Sequence, residues 1–198
     1  HVKQLVVGFD HFMGKTRAAD FEQIALMGHA CNVSVTVVGQ HSLGDEKISS
    51  SAIRRALTNG DVSAANAMLG YRYSFDGTVV EGVQAGRAIG FPTANLRPEC
   101  AQKLLPKAGA YAVRVQVGER EYDGMFNIGT RTTLNHADAP TLEAHLFDFA
   151  DNIYGQLITV TFVARLRDEQ QFLSLHALQH QLTLDAAQAR AEIENLRI

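Results

Sequence analysis

The sequence predicts a mainly β fold, an antiparallel barrel followed by C-terminal helices and preceded by a partial segment of parallel α/β structure. Three observations predict it. From Tyr71 to about Arg165, runs of β-branched and aromatic residues alternate with turn signals at regular spacing, as in an antiparallel barrel. Before Tyr71 the order is strand, loop, helix, strand, the grammar of a parallel sheet. From about Ser174 the apolar periodicity becomes helical.

Gln4 to Gly8 reads as a short buried strand, and Val33 to Val38 as a second. Between them a helical pattern runs from about Asp20, a fitting N-cap, to Ala30. Two strands and one helix cannot bury both faces of a sheet, so this segment is expected to be a fragment or to pack against a partner. The apolar segment so soon after His1 reads as a start inside a domain, with sequence upstream missing. Ser49, Ser50 and Ser51 offer N-caps to a helix whose Ile53 and Leu57 share a face and whose C′ position suits Gly60. Asp61 caps a second helix ending at Leu69-Gly70. The domain boundary falls at Leu69 to Arg72, giving segments 1–70 and 71–198. Beyond it, Tyr111 to Val117 alternates with period two, Gly118-Glu119 supplies a hairpin turn, and the partner strand returns from Tyr122. Thr141 to Phe149 and Leu157 to Ala164 are two more strands. The terminal helical stretch is expected to break near Thr183.

With 198 residues, the chain has room for one domain, or for one whole domain plus part of another. A net charge of −3 without blocks of like charge argues against a broad nucleic-acid or anionic-membrane surface. No apolar run approaches transmembrane length. Cys31 and Cys100 stand far apart outside any CxxC pattern and read as reduced thiols of a cytoplasmic protein.

Gly8 to Thr16 ends in Gly-Lys-Thr like a P-loop, but five residues separate its glycines where the motif needs four to wrap phosphates with backbone N–H groups. Gly28-His29 lacks the first histidine of a His-x-Gly-His pair, since position 26 is Leu26. The serines at Ser49 to Ser51, with Arg54 one turn on, form either an anion site at a helix start or a plain cap. The richest constellation is Gly77 to Leu96. Gly82, Gly86 and Gly90 let a backbone approach phosphates closely, and Arg87 can neutralise them. Thr93 and Asn95 lie two apart, so in an extended segment both oxygens face one side, a pair suited to a magnesium ion that completes its shell with phosphates and water. A glycine-rich barrel turn with a polar rim explains the same residues equally well.

The run Gly90-Phe91-Pro92-Thr93-Ala94-Asn95, after Gly86-Arg87, resembles the signature of the riboflavin kinase family. Ordered matches follow in Gly109-Ala110-Tyr111-Ala112-Val113, Asn127-Ile128-Gly129, Leu142-Glu143-Ala144-His145-Leu146, Asp148-Phe149 with Tyr154-Gly155, Leu166-Arg167 and Phe172. Val7-Gly8-Phe9-Asp10 and Lys47 to Arg54 resemble the closing half of the FMN adenylyltransferase domain of bifunctional bacterial FAD synthetases, a Rossmann-like nucleotidyltransferase fold. Ser51 stands where that family has threonine, and the His-x-Gly-His half is absent. Thr132 replaces a family proline, which is expected to loosen the 131–140 loop, by resemblance a flap near the flavin.

The resemblance implies a six-stranded barrel that phosphorylates riboflavin to FMN with ATP as co-substrate, leaving ADP. It implies phosphates held by Gly82, Gly86, Arg87 and Gly90, and Mg²⁺ on Thr93 and Asn95. Glu143 would be the general base. Asn127, Arg131 and Arg167 would contact flavin, with Ser49, Ser50, Ser51 and Arg54 as the adenylyltransferase remnant. A missing half-domain is the expected partner, and FMN adenylylation is not expected of this chain alone. From residues alone, Glu143 reads first as an edge-strand glutamate facing solvent, and Arg167 equally as a surface ion pair; His145 is read as structural. The rival classes are a complete bifunctional enzyme, a flavin-binding module without catalysis, and a P-loop nucleotidase.

Overall fold

The structure is a computed structural model describing residues 2–8, 21–82, 85–130 and 140–195. The chain divides into two compact units, residues 1–48 and 49–198.

In the first unit β1 (Gln4–Gly8) pairs in parallel with β2 (Ser34–Val38), in register from Gln4↔Ser34 to Gly8↔Val38. The crossover helix α1 (Phe21–Ala30) lies against β2. A Cβ on Gly28 would come within 2.4 Å of Val35 Cγ2, so Gly28 serves close helix–strand packing, while His29 is exposed. A small hairpin that the sequence did not reveal, β3 (Ser42–Leu43) with β4 (Glu46–Lys47), turns at Gly44 with φ +60°. The N-cap expected at Asp20, and the P-loop-like stretch beyond Gly8, lie outside the described residues. Leu26 and Met27 are each 70% exposed, as expected of a sheet and helix with too few elements to cover both faces.

The second unit opens with α2 (Ser50–Asn59) and α3 (Val62–Leu69). Ser49 Oγ accepts from Ala52 N, Asp61 accepts from Ala64 N, and Gly60 and Gly70 end the helices in the left-handed region, at φ +83° and +74°. Six strands follow: β5 (Ser74–Val80), β6 (Ala94–Pro98), β7 (Gly109–Val117), β8 (Arg120–Gly129), β9 (Thr141–Leu146) and β10 (Leu157–Arg167). They close into an antiparallel barrel of order β10-β5-β6-β9-β8-β7, with β7 pairing back to β10. The β7–β8 hairpin turns at Gly118 with φ +56°. Strand β9 stops at Leu146, short of the expected Phe149, because Asp148 takes φ +55° in a turn.

Pleat periodicity decides what fills the barrel. Tyr111, Val113 and Val115 of β7 point inward and join Phe75, Phe126 and Phe162. The Phe162 ring lies 5.3 Å from Tyr111 and 5.8 Å from Phe126 in edge-on contact. Each such buried side chain contributes about 1.5–3 kcal/mol by leaving water. Leu57 of α2 and Val62 and Ala65 of α3 are buried in the same cluster. The packing division therefore runs at residue 48/49 and sets both helices with the barrel, whereas the sequence pattern changes near Tyr71.

On the barrel's outside, the small residue Ala112 admits α4 (Leu175–Glu194), whose Ala189 and Ile193 pack there with Met125 and Val163. The break expected near Thr183 is a correction. α4 is one continuous helix, because Thr183 Oγ1 donates to Gln179 O one turn back and satisfies its hydroxyl without leaving helical geometry. Two register shifts interrupt β10. At the second, Arg165 pairs with Tyr111 and Arg167 with Ala110, so Leu166 is the extra residue of a bulge. Cross-strand partners share a face, so Arg165 goes with inward Tyr111, and Arg167 goes with Ala110 to the outer wall.

Candidate active site

β9 is a central strand. It is flanked by β6 and β8, with Asn95 and Asn127 each in register with Glu143. Leu142, Ala144 and Leu146 are buried in the barrel, so Glu143 and His145 stand on the outer face, half-buried. A closed barrel has no edge strand here, so Glu143 is not the edge-strand glutamate that its residues alone allowed. Thr93 Oγ1 donates to Glu143 Oε2 at 3.2 Å. Asn95, in register with Glu143, shares that face, which agrees with the two-residue spacing.

The glycine-rich segment closes over these groups. A Cβ on Gly82 would lie 1.9 Å from Asn95 Nδ2, so the glycine lets the backbone pass over that amide where it stands. Ala85–Ile89 forms a 3-10 turn, and Phe91 N donates to Gly86 O at 2.9 Å. A Cβ on Gly86 would meet Phe91 O at 2.1 Å. His145 Nδ1 lies 2.8 Å from Pro92 O. A carbonyl only accepts, so Nδ1 carries a proton, and burial pushes the ring's pKa below its ordinary value. His145 thereby ties the Phe91–Thr93 rim to β9.

Two cavities flank this rim. One of about 390 Å³ opens at the barrel mouth, where inward Val79 and Ala144 meet Arg87, Thr93, Asp151 and Tyr154. The other, about 240 Å³, lies between the outer wall and α4 and is lined by Phe91, Asn127, Glu143, Arg167, Phe172 and Leu182, among others. Among the described residues, Thr93 is the one that lines both. Two occupants would therefore meet beside the Thr93 hydroxyl and the Glu143 carboxylate.

Of the residues singled out from sequence, Thr93, Asn95, Glu143 and Asn127 come together, with Gly82 and Gly86 over them. Arg87 lies in the larger cavity and Arg167 in the smaller. Gly90 lines neither and serves a turn at φ +82°. Ser49, Ser50, Ser51 and Arg54 also line neither, and Ser49 is an ordinary cap. Arg131 and Thr132 lie outside the described residues. Two residues escaped the sequence reading. Glu169 accepts from Thr130 N and Oγ1 at 3.0 and 2.9 Å and lines the smaller cavity. Asp185 is 2% exposed and grips Arg167. Its signal was visible: one acid in the helical stripe Leu178, Leu182, Ala189, Ile193.

As a binding place for a hard cation, the Thr93 hydroxyl and Asn95 amide fit. They are neutral oxygen donors beside one carboxylate, which leaves the rest of a magnesium shell to phosphates and water. No cluster of three or more His, Cys, Asp or Glu among the described residues offers a protein-only metal site.

A family model described as riboflavin kinase matches residues 69–193, and one described as FAD synthetase matches residues 1–52. The chain is 37% identical over 191 residues to a bifunctional riboflavin kinase/FMN adenylyltransferase of Listeria monocytogenes, covering 96% of this chain and 60% of that protein. It is 38% identical over 190 residues to the Escherichia coli protein of the same description, with the same coverage. A crystal structure of a Streptococcus pneumoniae chain described as a macrolide-efflux protein superposes with TM-score 0.83 at 33% identity, over 95% of this chain and 60% of that one. The chain thus spans 60% of the length of these relatives.

Proposed function

Because the chain belongs to the riboflavin kinase family, we propose that it transfers the terminal phosphoryl group of ATP to the 5′-hydroxyl of riboflavin, giving FMN and ADP. In this reading residues 71–198 are the kinase and residues 1–70 are part of an FMN adenylyltransferase domain. Adenylylation of FMN to FAD then belongs to chains that carry the complementary part. Two free, exposed thiols, Cys31 and Cys100, suit a reducing cytoplasm.

The observation that carries the reading is that Thr93 joins the two cavities and bonds Glu143. The larger cavity takes ATP, with Arg87 toward its phosphates, while Gly82 passes over Asn95 and Gly86 beside Thr93 where the two cavities meet. The smaller takes riboflavin, with the ribityl end toward Glu143. Thr93 and Asn95 would hold a magnesium ion, which would supply charge neutralisation for the terminal phosphates. Glu143 accepts the hydroxyl proton as a new oxygen–phosphorus bond forms and the bond to the ADP oxygen breaks. Phosphoryl transfer asks a protein mainly for positioning and electrostatics, and the half-buried, fixed Glu143 supplies both.

Glu143→Gln tests this assignment. It keeps the shape and removes the base, so single-turnover FMN formation falls by about 10²- to 10⁴-fold, while riboflavin binding, followed by fluorescence quenching, is retained. A variant of near-normal rate returns Glu143 to a structural role.

A further inference from the structure

Asp185 is a buried carboxylate that the proposed chemistry does not use. It accepts from Arg167 Nε at 2.9 and 3.0 Å and from Arg167 Nη2 at 2.7 Å, and Gln181 Nε2 adds a bond at 2.8 Å. Arg167 Nη1 donates to Asp168 O at 3.0 Å, and the guanidinium sits 5.7 Å from the centre of the Phe172 ring. Arg167, Phe172 and Asp185 all line the smaller cavity. The bulge at Leu166 turns Arg167 onto this wall, and α4 brings Asp185 to meet it.

We propose that Asp185 is a positioning residue for riboflavin, one that pins Arg167 and, through it, the Phe172 wall against which the flavin ring lies. The inference rests on the reading of the smaller cavity as the riboflavin site. Replacing a buried ion pair by apolar residues of similar volume is often neutral or stabilising, so stability alone does not explain one here. A guanidinium already neutralised side-on by a carboxylate attracts a phosphate weakly. Held flat and immobile, it instead gives the neighbouring aromatic ring a fixed support. Arg167 therefore belongs to recognition of the neutral ring system and not to the transferred phosphate.

The test measures riboflavin binding by fluorescence quenching, KM for both substrates, and Tm. In Asp185→Asn, Kd and KM for riboflavin rise roughly tenfold or more, the scale of a lost charged hydrogen bond, with KM for ATP unchanged and a smaller fall in kcat. A lower Tm with unaltered riboflavin Kd overturns the proposal. A second variant, Arg167→Met with Asp185→Leu, removes both charges and restores apolar packing, so it decides the matter even where Asp185→Asn folds poorly. The proposal expects its riboflavin Kd to stay raised, and a wild-type Kd in a folded double variant overturns it. Wild-type protein that fails to quench riboflavin fluorescence overturns the functional reading itself, and is told apart because the variants are judged only against a wild type that binds.

Discussion

The two cavities are built from opposite faces of the same strand and differ in kind. The larger takes Ala144 and Leu146 from β9 and opens at the barrel mouth among Arg87, Asp151 and Asn152. The smaller takes Glu143 and His145 and is shut by Phe91, Met125, Phe172 and Leu182. The larger sets Arg87 and Asp151 on a mostly apolar wall, and the smaller sets Phe91 and Phe172 beside Glu143, Arg167, Glu169 and Asp185. Because neighbouring residues of a strand point to opposite sides, the barrel wall is the partition between them. At the rim of that partition Thr93 touches both. A single pleated strand thus lines both cavities, one from each face.

That comparison can be broken by changes confined to one side. The largest effect is expected for Asn95→Ala. Losing the amide oxygen raises KM for Mg-ATP on the order of tenfold to a hundredfold, the scale seen when a metal's partners are disturbed, while riboflavin quenching stays as in wild type. Titrating Mg²⁺ and ATP checks it, and a collapse of flavin binding would remove Asn95 from the cation site. Phe172→Ala should do the reverse, weakening riboflavin by up to roughly tenfold through loss of an aromatic wall and leaving KM for ATP alone. The smallest effect lies outside both cavities. Arg165 and Lys107, at 2.9 and 3.0 Å, hold the Asp168 carboxyl down from 3.8 to about 2. A depressed carboxylate contributes stability above its unfolded value, and that stability is lost as pH falls toward about 2. Asp168→Asn should therefore lower Tm slightly near neutrality, since the group is exposed and screened, and the difference from wild type should vanish near pH 2.

Much of this was legible because it is local. Ser49, Asp61, Gly60 and Gly118 each write a cap or turn in one or two residues, and Tyr111 to Val117 writes its pleat. The closing of the barrel, which makes β9 a central strand, needs the pairing of β7 with β10, and no local pattern encodes it. Glu143 therefore looked the same as a solvent-facing glutamate until that pairing was known. The bulge at Leu166 was equally silent, since an extra residue leaves an apolar run unchanged, yet it decides which wall Arg167 joins. Thr183 misled in the other direction: a β-branched hydroxyl weakens helix propensity, but the bond to Gln179 O keeps α4 whole. Asp185 was visible as an acid in an apolar stripe, and its partner, eighteen residues back on β10, was not.

The most direct measurement is product analysis by chromatography after incubating the purified chain with riboflavin, ATP and Mg²⁺. The account predicts FMN and ADP in equal amounts, with no FAD or pyrophosphate when FMN replaces riboflavin. Folded protein that binds riboflavin but forms no FMN with Mg-ATP in excess would contradict it, and would leave a flavin-binding barrel without catalysis.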